Sequence, residues 1–318
     1  MKQALAVIVG PTAVGKSDIA VQVAKQVNGE IISGDSVQVY RGLDIGSAKV
    51  TPAEQQGIPH YMLDILDPDE NFSVAMFQDQ VRRLIREINE RGKLPILVGG
   101  TGLYIRSVLD PYEFPAMQAD KAIRTELQTI AREHGSAVLH QRLAAVDPES
   151  ARRIHINDLN RIVRALEVYK LTGRPFSVYR NLPEAAAPAD NPYNLTFIGL
   201  TGPRPELYAR IERRVDLMLA KGLVNEVKVL LAAGYHPSVQ ALQAIGYRHV
   251  VQYLRGLLTK PEMTRLLKRD TRHFAKRQLT WFRRDRRIIW FDSITRPQRE
   301  IVQEVVERIC ATCQDGVK

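Results

Sequence analysis

Gly10-Pro11-Thr12-Ala13-Val14-Gly15-Lys16-Ser17 is the stretch that decides the fold. It matches the phosphate-binding pattern G-x-x-x-x-G-K-[ST] at every fixed position and follows an apolar run at residues 4–9. This order predicts a buried strand, a tight turn and a helix that begins near Lys16. The turn and the helix N-terminus direct backbone N–H groups at a bound phosphate, and Lys16 adds a positive charge. The sequence therefore predicts a phosphate-binding loop over all eight residues, with the Ser17 hydroxyl as a ligand for Mg²⁺.

Composition restricts the class of protein. The chain has 318 residues, of which 45% are hydrophobic, and it contains no apolar run long enough to span a bilayer. Its two cysteines, Cys310 and Cys313, are typical of a reducing compartment. We therefore expect a globular, cytoplasmic protein without membrane contact, and we expect it to act as a monomer.

The first third of the chain alternates strand-like and helix-like runs, which indicates a mostly parallel sheet flanked by helices. Between residues 113 and 192, charged amphipathic runs predict helices and no strand. We therefore predict an α/β fold with a P-loop NTPase-like core and an inserted all-helical domain. The predicted ranges are 1–112 for the first part of the core, 113–192 for the helical insertion, and 193–318 for the second part of the core.

The second part of the core is predicted to begin with a strand at residues 195–200, after a proline-rich linker at 182–192. Apolar periodicity then predicts helices at the following ranges: 205–233, 238–257, 260–284 and 297–313. A last strand is predicted at residues 287–291.

Positive charge is concentrated near the C-terminus. The net formal charge is +10, and residues 265–299 contain twelve Lys or Arg against three Asp, a surplus of nine. Helical spacing places four of these cations on one stripe, with apolar residues opposite: Arg265, Arg269, Arg272 and Lys276. This pattern is typical of a surface that binds nucleic acid, and a solvated helix face gives it as well.

Two further polar groups follow predicted strands. Asp35 comes after a strand at residues 30–33, and Thr101 lies in a glycine turn after a strand at 96–98. Open parallel sheets bind ligands at the carboxyl ends of their strands, so we expect both side chains near the phosphate loop. A carboxylate there can hold Mg²⁺ through water or take a proton from a nucleophile, and the residue types leave both roles open. Glycines beside Thr101 would let a ligand approach its hydroxyl closely.

Five motifs follow one another in a fixed order, at residues 10–17, 34–49, 98–104, 158–168 and 244–248. They include Gly34-Asp35-Ser36, Gly99-Gly100-Thr101-Gly102 and Ala244-Ile245-Gly246-Tyr247-Arg248. Together they resemble the bacterial tRNA dimethylallyltransferases, the IPP transferase family, from the N-terminus to at least Arg284. The resemblance implies transfer of a dimethylallyl group from dimethylallyl diphosphate to the exocyclic amine of the adenosine next to the anticodon (tRNA position 37).

The resemblance also implies residue roles and partners. Asp35 would take the proton from the amine, and Thr101 would donate to the bridging oxygen of the departing diphosphate. The partners would be dimethylallyl diphosphate and the anticodon stem-loop of a tRNA, with Mg²⁺ as cofactor. The helical insertion at 113–192 and the basic helices of the second part of the core would contact the tRNA. Contacts with the tRNA are expected from Asp35, Ser36, Val37, Gln38, Thr101, Asn160, Arg161, Ile162, Val163, Arg164, Gln243, Gly246, Tyr247 and Arg248.

Three other functions use some of the same residues. An adenylate prenyltransferase would act on free AMP or ADP, which requires neither the insertion nor the basic segment. A small-molecule kinase would bind ATP on the phosphate loop and use Asp35 to activate a hydroxyl. A non-catalytic RNA-binding protein would retain the loop without its chemistry. The intact site residues argue against such decay: Lys16, Ser17, Asp35 and Thr101.

Overall fold

The computed structural model describes residues 2–112, 114, 120–180 and 192–315. Its sheet has six strands in the order β3-β2-β4-β1-β5-β6, and every neighbouring pair is parallel. The strands are β1 (Gln3–Val9), β2 (Gly29–Ser33), β3 (His60–Tyr61), β4 (Leu94–Gly99), β5 (Tyr193–Thr201) and β6 (Ile289–Asp292). The predicted α/β fold with a mostly parallel sheet flanked by helices is confirmed.

Thirteen helices occur in the described residues. They are α1 (Lys16–Gln26), α2 (Pro52–Gln55), α3 (Val74–Glu90), α4 (Gly102–Leu109), α5 (Lys121–His134), α6 (Ser136–Val146), α7 (Pro148–Arg153), α8 (Leu159–Thr172), α9 (Arg204–Ala220), α10 (Leu223–Ala232), α11 (Tyr247–Leu254), α12 (Lys260–Phe282) and α13 (Gln298–Asp315). Within the parts of the chain that the structure describes, none of these helices is long and apolar enough to cross a bilayer.

The chain divides into two compact units, which we call the core unit (1–109 and 185–318) and the helical unit (110–184). The helical unit contains α5 to α8 and no strand among its described residues. The linker predicted at residues 182–192 falls almost wholly on 181–191, outside the described residues. The predicted start of the insertion, residue 113, also lies outside them.

Alternate residues of β1 face two separate hydrophobic cores, one on each side of the sheet. Val7 and Val9 belong to the core that includes Phe77 of α3, whereas Ile8 packs in the core that includes Ile301 of α13. Each of these side chains is at most 1% exposed, so each contributes about 1.5–3 kcal/mol of burial energy. The central strand therefore holds the loop that follows it in a rigid frame.

The helix predicted at residues 238–257 is wrong in its first half. The structure has a short 3-10 turn at Ala241–Gln243, an extended Ala244 and then α11. Gly246 ends the break with a φ of 99°, a left-handed conformation that glycine adopts without a steric cost. The irregular segment between the turn and α11, residues 244–246, lines a cavity that Asp35 also lines.

Candidate active site

The phosphate loop joins the buried strand β1 to α1, as the sequence predicts. Gly15 precedes the helix with a φ of 94° and makes no side-chain cap. The first N–H groups of α1 have no carbonyl one turn earlier to bond, so they are available to an anion. The Lys16 ammonium donates to the Pro11 carbonyl oxygen at 2.7 Å. This hydrogen bond folds the side chain back over the loop, where a phosphate would sit.

Asp35 and Thr101 lie at the carboxyl ends of the neighbouring strands β2 and β4. One Asp35 oxygen, Oδ1, accepts the backbone N–H groups of Val37 and Gln38 at 2.8 and 3.3 Å. Its other oxygen, Oδ2, has no donor within the described part of the chain and is open to a ligand. Thr101 stands directly before α4, and both side chains line the same cavity. The strand ends thus bring these two groups together as expected.

Two cavities meet at Asp35. One, the loop cavity, has a volume of about 430 Å³ and is lined by the phosphate loop, residues 44–51 and part of α9. The other, the helix cavity, has a volume of about 380 Å³ and is lined by Thr101, residues 240, 241, 243–246 and 248, and faces of α9 and α12. Six residues line both: Thr12, Asp35, Ser47, Arg214, Met218 and Phe274. An anion on the phosphate loop and a second ligand in the helix cavity would therefore face each other across Asp35.

Among the cations that line the loop cavity, two are half-buried and form no ion pair within the described part of the chain. Lys16 comes from the phosphate loop and Arg214 from α9. Burial, the Arg214 guanidinium and, in the opposite direction, the Asp35 carboxylate together bring the pKa of Lys16 down to about 7. Burial also lowers the pKa of Arg214. Two desolvated cations at one place are costly unless an anion joins them, so this cavity suits a diphosphate.

The donor set of the loop cavity suits Mg²⁺ held mainly by phosphate oxygens. The Ser17 hydroxyl is exposed at the start of α1 and lines the cavity. The described residues contain no group of three or more His, Cys, Asp or Glu placed to bind a metal by themselves. Mg²⁺ commonly keeps several waters and uses one or two protein ligands beside the substrate phosphates. Ser17 is compatible with that arrangement.

Residues 44–47, each of which lines at least one of the two cavities, are held by Glu226 of α10. Its carboxylate accepts the backbone N–H groups of Asp44, Ile45 and Gly46 at 3.1, 2.6 and 3.1 Å. The Tyr247 hydroxyl donates to the same carboxylate at 2.7 Å and accepts the Ser47 N–H at 3.2 Å. Tyr247 is fully buried. Its ring supports this loop and has no surface with which to contact tRNA, unlike the role expected from the motif.

Gln38 also has internal partners. Its amide accepts from the Ser33 hydroxyl at 2.9 Å and donates to the carbonyl oxygens of Ser47 and Ala48, each at 3.3 Å.

Ser36 and Val37 line the helix cavity, as do Gln243, Gly246 and Arg248. Gln243 donates to the Pro237 carbonyl at 2.8 Å. These five residues of the core unit are therefore placed where a ligand in the helix cavity could reach them.

Arg248 belongs to a charged cluster at the wall of the helix cavity. Its guanidinium donates to Asp270 at 2.8 Å, and His249 lies 3.1 Å from the same carboxylate oxygen. Burial opposes ionisation of Asp270, but hydrogen bonds from Arg269, Arg248 and His249 bring its pKa down to about 2. Arg248 is thus held in one orientation while 39% of its side chain stays exposed.

The remaining candidates for tRNA contact lie on α8 in the helical unit. Asn160 and Arg161 are exposed, whereas Ile162 and Val163 are buried in the hydrophobic core of that unit, so their side chains are not available to RNA. Arg164 donates to the fully buried Glu167 at 2.7 Å, and Arg124 of α5 donates to the same carboxylate. Because one buried carboxylate holds both guanidinium groups, Arg164 has a fixed direction and 34% exposure.

The basic segment is only partly free. Lys268 and Arg272 form ion pairs with Asp216 and Glu212 of α9, and Arg269 pairs with Asp270. Two members of the predicted stripe, Arg269 and Arg272, therefore already have carboxylate partners. Six other cations are exposed and form no ion pair within the described part of the chain: Arg265, Lys276, Arg277, Arg283, Arg284 and Arg286.

Comparison with known proteins decides the family. The family model described as IPP transferase matches residues 38–285. The chain belongs to the IPP transferase family. The resemblance inferred from the five motifs is confirmed, and the match includes Thr101, Arg214 and the basic helix α12.

Relatives of this IPP transferase match over nearly its whole length. The tRNA dimethylallyltransferase of Carboxydothermus hydrogenoformans is 55% identical over 309 residues, which are 97% of each chain. That of Symbiobacterium thermophilum is 54% identical over 311 residues, which are 97% of this chain and 96% of the relative.

Two solved structures share the fold. The full-length tRNA isopentenylpyrophosphate transferase of Bacillus halodurans has a TM-score of 0.74 and 46% identity, with 99% of this chain and 98% of that chain covered. A eukaryotic dimethylallyltransferase acting on tRNA has a TM-score of 0.75 and 29% identity, with 92% of this chain and 74% of that chain covered.

Arg214 is the main residue of this IPP transferase site that sequence reasoning missed. Leu207, Ile211 and Val215 form the buried stripe of α9, and Arg214 lies beside that stripe. Because Arg214 borders this apolar stripe, the helical pattern could have predicted that its side chain is half-buried. The carboxylates that act on it, Asp18, Asp35 and Glu54, are far away in sequence, so the sequence around Arg214 does not reveal the anion site.

Proposed function

We infer that this IPP transferase transfers the dimethylallyl group of dimethylallyl diphosphate to the exocyclic amine of the adenosine next to the anticodon of tRNA. Relatives with this activity in their names match over nearly the full length of the chain. The observation that carries the residue assignment is the meeting of the two cavities at Asp35. The diphosphate would occupy the loop cavity and the base the helix cavity.

The bond changes follow from this placement. The amine nitrogen attacks the allylic carbon while the bond from that carbon to the bridging oxygen breaks, and diphosphate leaves. The Asp35 carboxylate takes the proton that the amine loses, through its open oxygen Oδ2. Lys16, Arg214 and the N–H groups at the start of α1 stabilise the charge that grows on the leaving group. Thr101 is proposed to donate to the bridging oxygen.

Mg²⁺ is proposed as the cofactor, with the Ser17 hydroxyl as its protein ligand. When bound, the ion neutralises part of the negative charge on the diphosphate. The chain's own contribution is to orient the diphosphate along the phosphate loop. The tRNA substrate further suggests a cytoplasmic enzyme.

The target adenosine must leave the anticodon loop to reach Asp35, because a base in a stacked loop cannot enter a cavity. Ser36, Gln243 and Arg248 are proposed to contact it or its neighbours from the wall of the helix cavity. Asn160, Arg161 and Arg164 of the helical unit are proposed to bind the same arm of the tRNA. Arg164 would do so with the part of its guanidinium that faces solvent.

The deciding experiment is transfer of radiolabel from dimethylallyl diphosphate to unmodified tRNA, with AMP and ATP as parallel acceptors. Label in tRNA that disappears with EDTA is the expected result. Label in AMP alone would instead assign the chain to the free-nucleotide prenyltransferases. Phosphate transfer from ATP without a prenyl donor would favour a kinase.

Binding of dimethylallyl diphosphate is expected to weaken as pH rises above about 7. Lys16 is charged below its pKa of about 7 and neutral above it, whereas an anionic ligand favours the charged form. Each pH unit above 7 should therefore raise Kd, by at most about tenfold. Titration calorimetry at several pH values in buffers of different ionisation enthalpy measures both Kd and proton uptake. In Lys16→Gln this proton uptake should vanish; uptake that persists would exclude Lys16 as its source.

Affinity for tRNA is expected to fall steeply with salt. If the exposed cations of α12 and its neighbours neutralise about four phosphates, Kd should rise roughly 50-fold between 50 and 200 mM NaCl. Filter binding over that range gives the slope of log Kd against log salt. Arg283→Gln with Arg284→Gln should make the slope shallower by about 1.4, which is about 0.7 for each lost phosphate contact. A slope near zero for the unaltered protein would exclude phosphate contacts as the basis of binding.

A further inference from the structure

Gln278 of α12 connects two active-site loops that are far apart in sequence. Its side-chain oxygen accepts the Thr12 N–H of the phosphate loop at 2.9 Å. Its side-chain nitrogen donates to the Gly100 carbonyl, in the turn that ends at Thr101, at 3.0 Å. Gln278 is only 7% exposed, and both ends of its amide have partners. A buried amide with a partner at each end fixes the distance between those partners.

The turn before Thr101 is shaped to let α12 approach. A Cβ atom on Gly100 would lie 2.1 Å from the Gln278 side-chain nitrogen, closer than atoms can come. One helical turn along α12, the Trp281 ring occupies the space of a Cβ on Gly102, at 2.2 Å. Gly100 and Gly102 therefore make room for side chains of α12. The sequence instead predicts that they make room for a ligand near the Thr101 hydroxyl.

Hydrogen bonding at Thr12 also divides the phosphate loop into two parts. Because Gln278 takes the Thr12 N–H, that group is not available to a phosphate. A second hydrogen bond from another part of the chain fixes the phosphate loop at Val14, whose carbonyl oxygen accepts from the Ser293 hydroxyl at 2.9 Å. The N–H groups nearer α1 remain for the anion. Gln278 therefore acts on the loop as a support and not as a ligand.

We propose that Gln278 is a positioning residue that sets the spacing between the phosphate loop and Thr101, and so aligns the Thr101 hydroxyl with the leaving diphosphate. This inference rests on the proposed function, in which the diphosphate lies on the loop and Thr101 donates to its bridging oxygen. A displacement of about 1 Å between such groups lowers rates by up to about 100-fold. An apolar side chain at 278 would fill the space without fixing this distance.

The test compares Gln278→Leu with Thr280→Ala. Leucine keeps much of the volume and loses both hydrogen bonds. Thr280 is exposed on the same helix, and its hydroxyl donates to the Lys276 carbonyl oxygen one turn earlier. Gln278→Leu is expected to lower kcat about 30-fold and to raise KM for dimethylallyl diphosphate about fivefold. Kd for tRNA and the folded fraction at the assay temperature should stay within twofold of the unaltered protein. Thr280→Ala should match the unaltered protein in all four measurements.

A second pair of variants tests the same contact from the other side. Gly100→Ala places a methyl group against Gln278 and should lower kcat, and Gln278→Ala should lower it by removing the support. In the double variant the smaller alanine side chain at position 278 leaves room for the methyl group. The kcat of the double variant should therefore equal that of Gln278→Ala alone, and the two separate losses should not multiply. Independent losses would overturn the proposal, as would a kcat and KM of Gln278→Leu within twofold of normal.

Loss of tRNA binding equal to the loss of kcat would also overturn it, because Gln278 would then act through the RNA surface of α12. The proposed function is checked separately by the unaltered protein and Thr280→Ala. If neither transfers label to tRNA, the proposed function fails. If both do and Gln278→Leu does so equally well, only the positioning role fails.

Discussion

Asp35→Asn is expected to lower kcat by about 10²–10⁴-fold, the usual effect of removing a general base. Asparagine has the same shape, and its carbonyl oxygen can still accept the N–H groups of Val37 and Gln38 that Asp35 now holds. The turn after β2 should therefore survive, and only the ability to take a proton is lost. Single-turnover transfer of label to tRNA measures the chemical step without product release.

Binding separates this role from a structural one. Kd for tRNA should change less than about threefold in Asp35→Asn, because one neutral group replaces a carboxylate among many RNA contacts. Asp69→Asn, an exposed carboxylate of the core unit, serves as the matched control and should be normal. A single-turnover rate within tenfold of normal would rule out Asp35 as the proton acceptor.

The fold was predictable because its signals are local. The phosphate-loop pattern follows β1 directly, and alternating strand and helix runs indicate the parallel sheet. The positions of Asp35 and Thr101 at one edge of the sheet also follow, since each comes just after a strand. The helix predicted over residues 238–257 failed because apolar periodicity continues through the break and does not register the left-handed conformation of Gly246.

The supporting residues of the site were not predictable in the same way. Glu226 and Gln278 act on loops that lie about 180 and 266 residues away in sequence. Neither has a distinctive motif, because an amide or a carboxylate on a helix is usually a surface residue. Tyr247 shows the opposite error: its motif marks a position in the family, but only the packing against Glu226 shows that the ring faces inward.

Arg214→Met is expected to lower kcat/KM for dimethylallyl diphosphate by about 10²–10³-fold. This is the usual loss when one fixed hydrogen-bond donor that stabilises the charge of the transition state is removed. Arg214 lines the loop cavity together with Lys16, and no carboxylate in the described chain lies within ion-pair distance of its guanidinium. Asp35, Asp18 and Glu54 act on it only from farther away. An unpaired cation facing a cavity suits an anion that arrives with the substrate.

The same reasoning predicts a gain in stability. Removing an unpaired, desolvated charge should raise the free energy of unfolding of the ligand-free protein by roughly 1 kcal/mol, and its thermal midpoint by a few degrees. Active-site groups commonly lower stability in this way and are retained for their function. Diphosphate should stabilise the unaltered protein and should stabilise Arg214→Met much less. Thermal unfolding with and without diphosphate measures both effects.

Two further variants make the test specific. Arg214→Lys keeps the charge without the planar fork of donors and should recover part of the activity. Arg213→Met removes the exposed neighbour on the same helix and should leave kcat/KM within about threefold of normal. If Arg214→Met were destabilised and its kcat/KM unchanged, the guanidinium would be a structural group of α9 and not part of the diphosphate site.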